Sequence, residues 1–546
     1  MENKIATLRE NLLAAQETND ITLEIKLLRS LIELGDGGAM FELGTIYLMG
    51  EKVPQNLDDA SFYLSMAANK NNTSAQCYLG QLYLFGGLGE LDYEKAYAWL
   101  SKSSESDYTS RYLLGYIFYS GLGHEVDYVE AEKWFSSSTN FTESNFYLGE
   151  INYRGLGKEI DYELAAHYYE RAANDGYTPA HYGLGLMHYY GYYYNQNYET
   201  AAKYFEIAAA EVHVAAKSYL GKMYYFGEYY NQDYAAAAKN FEYAASKGDA
   251  YSNYYLGLMY YNGEHFEENY ELAAKYFEIG AAKNHLESKR MLGIMYFRGD
   301  YYDKNYELAA KYIEDTAAKG DAYSNYYLGL LYYYGEYYDQ NLELAAKYFE
   351  IAAAEGHVAA KSYLGEMNYY GEYYKKDYEI AAKYFEEAAA EGSTTAKSYL
   401  GKMYYFGYYY DKNDELAAKY FVDAANESDV TANYHLGLMY YKGEHFEENY
   451  ELAAKHFEIS AAEGNVTAIT LLGIMHYYGN YYSQNYKIAA QFFEEAASKG
   501  NIIANYFIGM LYYYGDYYRR DNKLATKNFE IAAAGGVVEA RKYLGL

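Results

Sequence analysis

Proline is nearly missing from this 546-residue chain: two occur, with one cysteine and two tryptophans. No Pro-, Ser- or Gly-rich linker separates independently folded segments. A single core seldom grows past roughly 250–300 residues, so a chain of this length without linkers reads most simply as one continuous repeat body. Cys77 stands alone. It can build neither an internal disulfide nor a cysteine metal cage, which fits a reducing compartment, and as a small hydrophobe it is expected to be buried. Basic residues are also scarce, 45 against 76 acidic, and the formal charge of −31 repels phosphate. Nucleic acid and anionic membranes are therefore poor partners. There is no run of about 18 apolar residues, and the N-terminus lacks the basic segment and apolar core of a signal peptide. A cytoplasmic protein is expected, with secretion by a signal-independent route left open.

What is present in excess is repetition. Glycine recurs at 44, 80, 115, 149, 185 and then every 36 residues to Gly545, and a second glycine follows six residues after each of the first fourteen. Around the first glycine, Ala216, Leu220, Gly221 and Tyr224 keep steps of three and four, the period of one helical face, here named helix A. Asp or Asn then stands at 161, 197, 233, 269, 305, 341, 377, 413, 449, 485 and 521, as N-caps of a second helix, B. Helix B is made of good helix formers, as in Tyr306 to Tyr312, and generally stops at a glycine such as Gly176, Gly320 or Gly392. Glycine inside helix A costs roughly 1 kcal/mol relative to alanine. Its recurrence predicts close helix contact, with Ala309 and Ala310 offering a complementary small surface.

Leu148-Gly149, Tyr153, Gly155-Leu156-Gly157, Asp161, Ala165, Tyr168, Ala172-Ala173 and Gly176 resemble the Sel1-like repeat family, relatives of the tetratricopeptide repeats. The resemblance implies an all-α, right-handed α-α superhelix of about fourteen 36-residue units, a solenoid in which each unit packs on its neighbours. Residues 1–35 read as an N-terminal capping helix pair, 36–176 as divergent repeats, and 177–546 as near-identical Tyr-rich repeats ending in a partial one. From Gly191 onward the second loop glycine of the family becomes Tyr193, Tyr229, Tyr301, Tyr337 or Tyr373, which questions the loop geometry there. Some relatives carry paired disulfides and were associated with β-lactam binding; the lone Cys77 removes that likeness.

No catalytic, metal or cofactor constellation stands apart from the repeat. The Gly-x-Gly turns are loop positions, not dinucleotide sites, and Glu264-His265-Phe266-Glu267-Glu268, copied at 444–448, reads as solvated charge more readily than as a metal site. The 83 tyrosines carry the functional reading. If helix A lies as in the tetratricopeptide relatives, the position four residues after the first glycine faces a concave groove. It holds Tyr225, Tyr261, Phe297, Tyr333, Tyr369, Tyr405, Tyr441, Tyr477 and Tyr513, and the next, variable position holds Arg298, Tyr334, Tyr370, Phe406 and Lys442 among others. An aromatic row beside a variable row suits peptide recognition; the alternative is that these rings pack between units. The loop tyrosines, Tyr229-Tyr230 and Tyr337-Tyr338 among them, read first as a stacked ladder.

The expected role is a non-enzymatic scaffold or adaptor for proteins and peptides, with the acidic surface favouring basic segments. Signalling and host–microbe contact are contexts the family implies. The alternative is a self-assembling structural protein, a homo-oligomer through the apolar C-terminal end.

Overall fold

The computed structural model describes residues 2–546, and these form 31 α-helices with no strand among the described residues. The chain divides into two compact units, Met1–Gly280 and Ala281–Leu546, the division falling inside the helix Tyr270–Ala282. In the first unit, the helices Glu2–Glu17 and Ile21–Glu33 precede the repeated pairs; in the second, seven A/B pairs run from Leu286 to Ala534 and the short helix Val538–Leu544 follows.

One pair of the second unit shows why the sequence folds this way. Helix A, Val358–Tyr370, is capped by the His357 side chain, which accepts from the Ala360 N–H, and ends at left-handed Gly371 (φ +75°). Helix B, Tyr378–Ala390, starts at Asp377, whose carboxylate accepts from the N–H groups of Glu379 and Ile380. Gly392 (φ +98°) then turns the chain into the next unit. All eleven Asp and Asn residues expected as helix B caps accept such bonds, each worth about 1 kcal/mol.

The glycine inside helix A makes room mainly for a ring. A Cβ on Gly365 would lie 2.5 Å from the Phe385 ring of helix B, and Gly329 and Gly401 face Phe349 and Phe421 in the same way. The alanines, Ala381 and Ala382 here, are buried beside that contact. Backbone comes near in a few repeats: the added Cβ would lie 3.4 Å from the Ala309 carbonyl oxygen at Gly293, 3.4 Å from that of Ala96 at Gly80 and 3.0 Å from the Leu64 nitrogen at Gly44. The complementary surface expected from Ala309 and Ala310 is therefore secondary to the aromatic wedge.

The loops keep the left-handed turn where glycine is lost. Tyr193 (φ +64°), Tyr229 (φ +68°), Tyr409 (φ +66°) and Tyr481 (φ +66°) sit where Gly123 and Gly157 sit at φ +70°, and His265 and His445 do the same. Tyr301, Tyr337 and Tyr373 lie outside that region. A left-handed non-glycine residue costs roughly 1–2 kcal/mol, and the neighbouring aromatic supplies contacts that offset it. Tyr230 stacks on Tyr224 at 4.2 Å, and its hydroxyl donates to Glu206 of the preceding repeat at 2.7 Å. In the second unit Tyr332 lies between Tyr338 (4.3 Å) and Tyr348 (5.7 Å), while the Tyr338 hydroxyl reaches Glu314 at 2.5 Å. Tyr230 and Tyr338 thus stack on their own repeat's helices and bond back to the previous repeat. Tyr338→Phe should lower the urea midpoint by the equivalent of about 1 kcal/mol; an unchanged midpoint would show that this bond merely replaces one to water.

Cys77 is buried, and burial pushes its thiol up to about 12, well away from thiolate chemistry.

Candidate interaction surface

On helix A, positions four and five after the first glycine are about 100° apart, and the structure gives them different surroundings. In the first unit, Tyr225 is 8% exposed; its ring meets Tyr234 and Tyr255 at 5.4 and 5.2 Å, and its hydroxyl donates to Glu264 of the next repeat at 2.6 Å. Tyr261 is half-buried. In the second unit Tyr369, Tyr405 and Tyr477 are buried, and Phe297, Tyr333, Tyr441 and Tyr513 half-buried. Phe297 lies between Tyr306 and Tyr327, Tyr333 donates to Glu372 at 2.7 Å, Tyr405 donates to Glu444, and Tyr441 accepts from Asn480. Burial and the adjacent carboxylates hold the hydroxyls of Tyr225, Tyr333 and Tyr405 well above the usual phenol range. The row at the fourth position is thus largely inter-repeat packing.

Accessible area belongs to the fifth position. Phe226 in the first unit, and Tyr334, Tyr370, Phe406, Tyr478 and Tyr514 in the second, are about half exposed; Arg298 and Lys442 are exposed as well. These side chains are tethered to the repeat ahead. Tyr334 and Tyr363 hydroxyls lie 3.0 Å apart, Tyr370 and Tyr399 3.1 Å, and Tyr514 and Tyr543 3.2 Å, while Arg298 donates to Tyr327 at 2.9 Å. Lys442 instead reaches back, donating to the Tyr405 hydroxyl of the preceding repeat at 3.4 Å. The surface is accordingly ordered before any partner arrives.

One further row lies on this face, one residue after the first glycine, and was not singled out in the sequence. Lys222 in the first unit stands 5.0 Å over the Tyr189 ring, and Lys402 in the second 4.4 Å over Tyr399. Glu366 occupies the same register; burial pushes its carboxyl up to about 7, with the Tyr399 hydroxyl and Lys402 opposing the shift and Glu372 adding to it. His435, in the register of Tyr399, lies 4.9 Å from Phe421 in a parallel stack, and burial, reinforced by Lys402 and Lys442, lowers it to about 3. The signal was available: positions two before, one after and five after the glycine keep steps of three and four, one helical stripe.

None of these groups forms an acid, base and nucleophile set in hydrogen-bond reach. The arrangement presents rings, hydroxyls and a few charges on rigid helices, which is chemistry for recognition. No helix among the described residues is long and apolar enough to cross a membrane.

The Sel1 repeat model matches the sequence fourteen times, at residues 38–72, 73–108, 109–140, 142–177, 178–213, 214–249, 250–285, 286–321, 322–357, 358–393, 395–429, 430–465, 466–501 and 502–537. No curated protein matches. Among solved structures, the protective antigen c5321 of uropathogenic Escherichia coli, described as displaying an SLR fold, is similar at 23% identity and a TM-score of 0.57, over 82% of this chain and 92% of that one. A Sel1 repeat protein from Oxalobacter formigenes is 24% identical over 57% of this chain and 89% of its own, with a TM-score of 0.40. Yeast Tom70 aligns over 98% of this chain and 96% of its own at 14% identity and a TM-score of 0.28.

Proposed function

Because the chain belongs to the Sel1 repeat family, we propose that it is a non-catalytic scaffold that binds peptide segments of partner proteins along the helix A face. The family's fold typically serves protein–protein interaction. The observation that carries the finer reading is the half-exposed aromatic row, Tyr334, Tyr370 and Phe406, held in place by hydroxyl pairs and, for Phe406, an edge-on contact with His435 of the repeat ahead. Rigid aromatic side chains supply contact area at low entropic cost, which is the composition of binding hot spots. The buried row beneath supports them, and the net charge of −31 favours basic segments through long-range steering.

The informative variant is Tyr334→Ala/Tyr370→Ala/Phe406→Ala. Replacing Tyr369 or Tyr405 would remove packing and confuse binding with folding. Partners captured by the wild type from native lysate should bind the triple variant at least a hundredfold more weakly, with its melting temperature within a few degrees. Full retention of those partners by the folded variant removes the helix A face from consideration. Recovery of the chain alone would turn attention to self-assembly.

A further inference from the structure

A cavity of about 810 Å³ in the second unit opens between the turn at Gly500–Ile503 and the turn at Gly535–Glu539. Three departures from the repeat meet there. The register at the end of helix B holds Lys319, Glu355, Glu391, Glu427, Glu463 and Lys499 in successive repeats, and then Gly535. Gly535 packs directly on Ile502, so closely that a Cβ would fall 2.5 Å from it. The helix A cap is His285, Asp321, His357, Ser393, Asp429, Asn465 and Asn501, each accepting an N–H, and then Val537, which makes no capping bond. Loss of a cap costs about 1 kcal/mol, and breaks in a local rule concentrate where a protein uses the position for something else. Finally, Ile503 stands in the register of Thr395, Thr431 and Thr467, leaving Ile503 and Val538 as exposed apolar walls.

The polar side chains of the lining are Tyr478, Asn501, Tyr506 and Glu539. Tyr478 lines the cavity, and its hydroxyl makes no hydrogen bond, because Phe507 stands where Tyr363, Tyr399 and Tyr543 pair with the tyrosine behind them. Glu539 is the one charged side chain of the lining. An apolar cleft of roughly 300–1,000 Å³ with a few converging polar groups has the form of a ligand site.

Resting on the reading that the helix A face binds peptides, we propose that this cleft anchors an extended partner segment with two neighbouring large apolar side chains followed by a lysine or arginine. The apolar pair fills the space over Ile502 and Ile503, and the cation meets Glu539 and the Tyr478 hydroxyl. Charge favours this occupant over a second copy of the chain, whose 76 acidic against 45 basic residues would bring mostly like charge to Glu539.

The test uses the full chain and two fluorescein-labelled octapeptides, Gly-Ser-Leu-Phe-Lys-Ser-Gly-Ser and the same sequence with Glu for Lys, read by anisotropy. The lysine peptide should bind, and the glutamate peptide at least tenfold more weakly. Ile503→Thr, which restores the residue of three other repeats and should fold, weakens the lysine peptide at least tenfold. Glu539→Gln removes the preference between the peptides. Phe62→Ala, at an exposed ring outside both surfaces, leaves both affinities unchanged, and the lysate capture with Tyr334→Ala/Tyr370→Ala/Phe406→Ala reads the aromatic row separately, so failure of the cleft and failure of that row are told apart. No binding to the wild type, equal binding to Ile503→Thr, or a dimer in light scattering that Ile503→Thr dissociates would each overturn the proposal.

Discussion

Phe385→Ala should destabilise its repeat by about 3–5 kcal/mol, the range for truncating a fully buried ring. The ring is wholly enclosed, with its edge against Gly365 and Tyr399 stacked on it at 4.7 Å. Because repeats contact mainly their neighbours, the loss should be local: amide exchange quickens around residues 358–406 while distant repeats keep their protection. Gly365→Ala tests the same contact from the other side. Alanine gains about 1 kcal/mol of helix propensity, but its Cβ would lie 2.5 Å from the ring, and overpacking costs about 1–3 kcal/mol. The net sign is destabilising. Adding Phe385→Leu should recover part of the Gly365→Ala loss, since Leu64 and Leu100 already occupy that place opposite Gly44 and Gly80. Strict additivity in urea denaturation would mean that glycine and ring do not constrain each other.

Glu366→Gln should stabilise the protein at pH 8 and leave it nearly unchanged at pH 4. The Glu366 carboxyl is raised by burial from 4.5 to about 7. Between those values the folded state holds a proton that the unfolded state has released, so stability is fully present below about pH 4.5 and falls as pH rises through 7. Glutamine keeps the shape and removes the titration, for a gain of about 1–3 kcal/mol at pH 8. Lys402 and the Tyr399 hydroxyl attract the carboxylate and Glu372 repels it. Lys402→Met should therefore widen the wild-type loss. Parallel stability–pH curves for wild type and Glu366→Gln between pH 4 and 8 would refute this account.

Much of the fold was legible because each repeat makes the same local choices. Glycine at 36-residue spacing, Asp or Asn before a run of helix formers, and glycine at the ends of both helices each have one conformational meaning, and fourteen repetitions remove the ambiguity of any single one. The loop tyrosines were harder. Replacing glycine at Tyr193 and Tyr229 suggested another turn, whereas the left-handed conformation persists there, its cost offset in part as Tyr194 and Tyr230 stack on His188 and Tyr224 at 4.2 Å. That compensation comes from a residue six positions back on the folded helix and cannot be weighed from propensity.

The site divides the same way. That an aromatic position and a variable position lie side by side near the end of helix A follows from the sequence alone, as does the acidic character of the chain. Which row meets solvent does not. Tyr369 and Tyr370 are adjacent in sequence and alike in chemistry; one is buried against Tyr399 and Tyr408 of the next repeat and the other half-exposed, because the 100° step along the helix turns only the first into the seam. The cleft at Gly535 likewise needs two turns 36 residues apart to face each other before its missing side chain has a meaning. Local hydrogen bonding and backbone conformation are written residue by residue, so the sequence determined the helices, caps and repeat length. Exposure and cavities arise between repeats, and only their packing decided them.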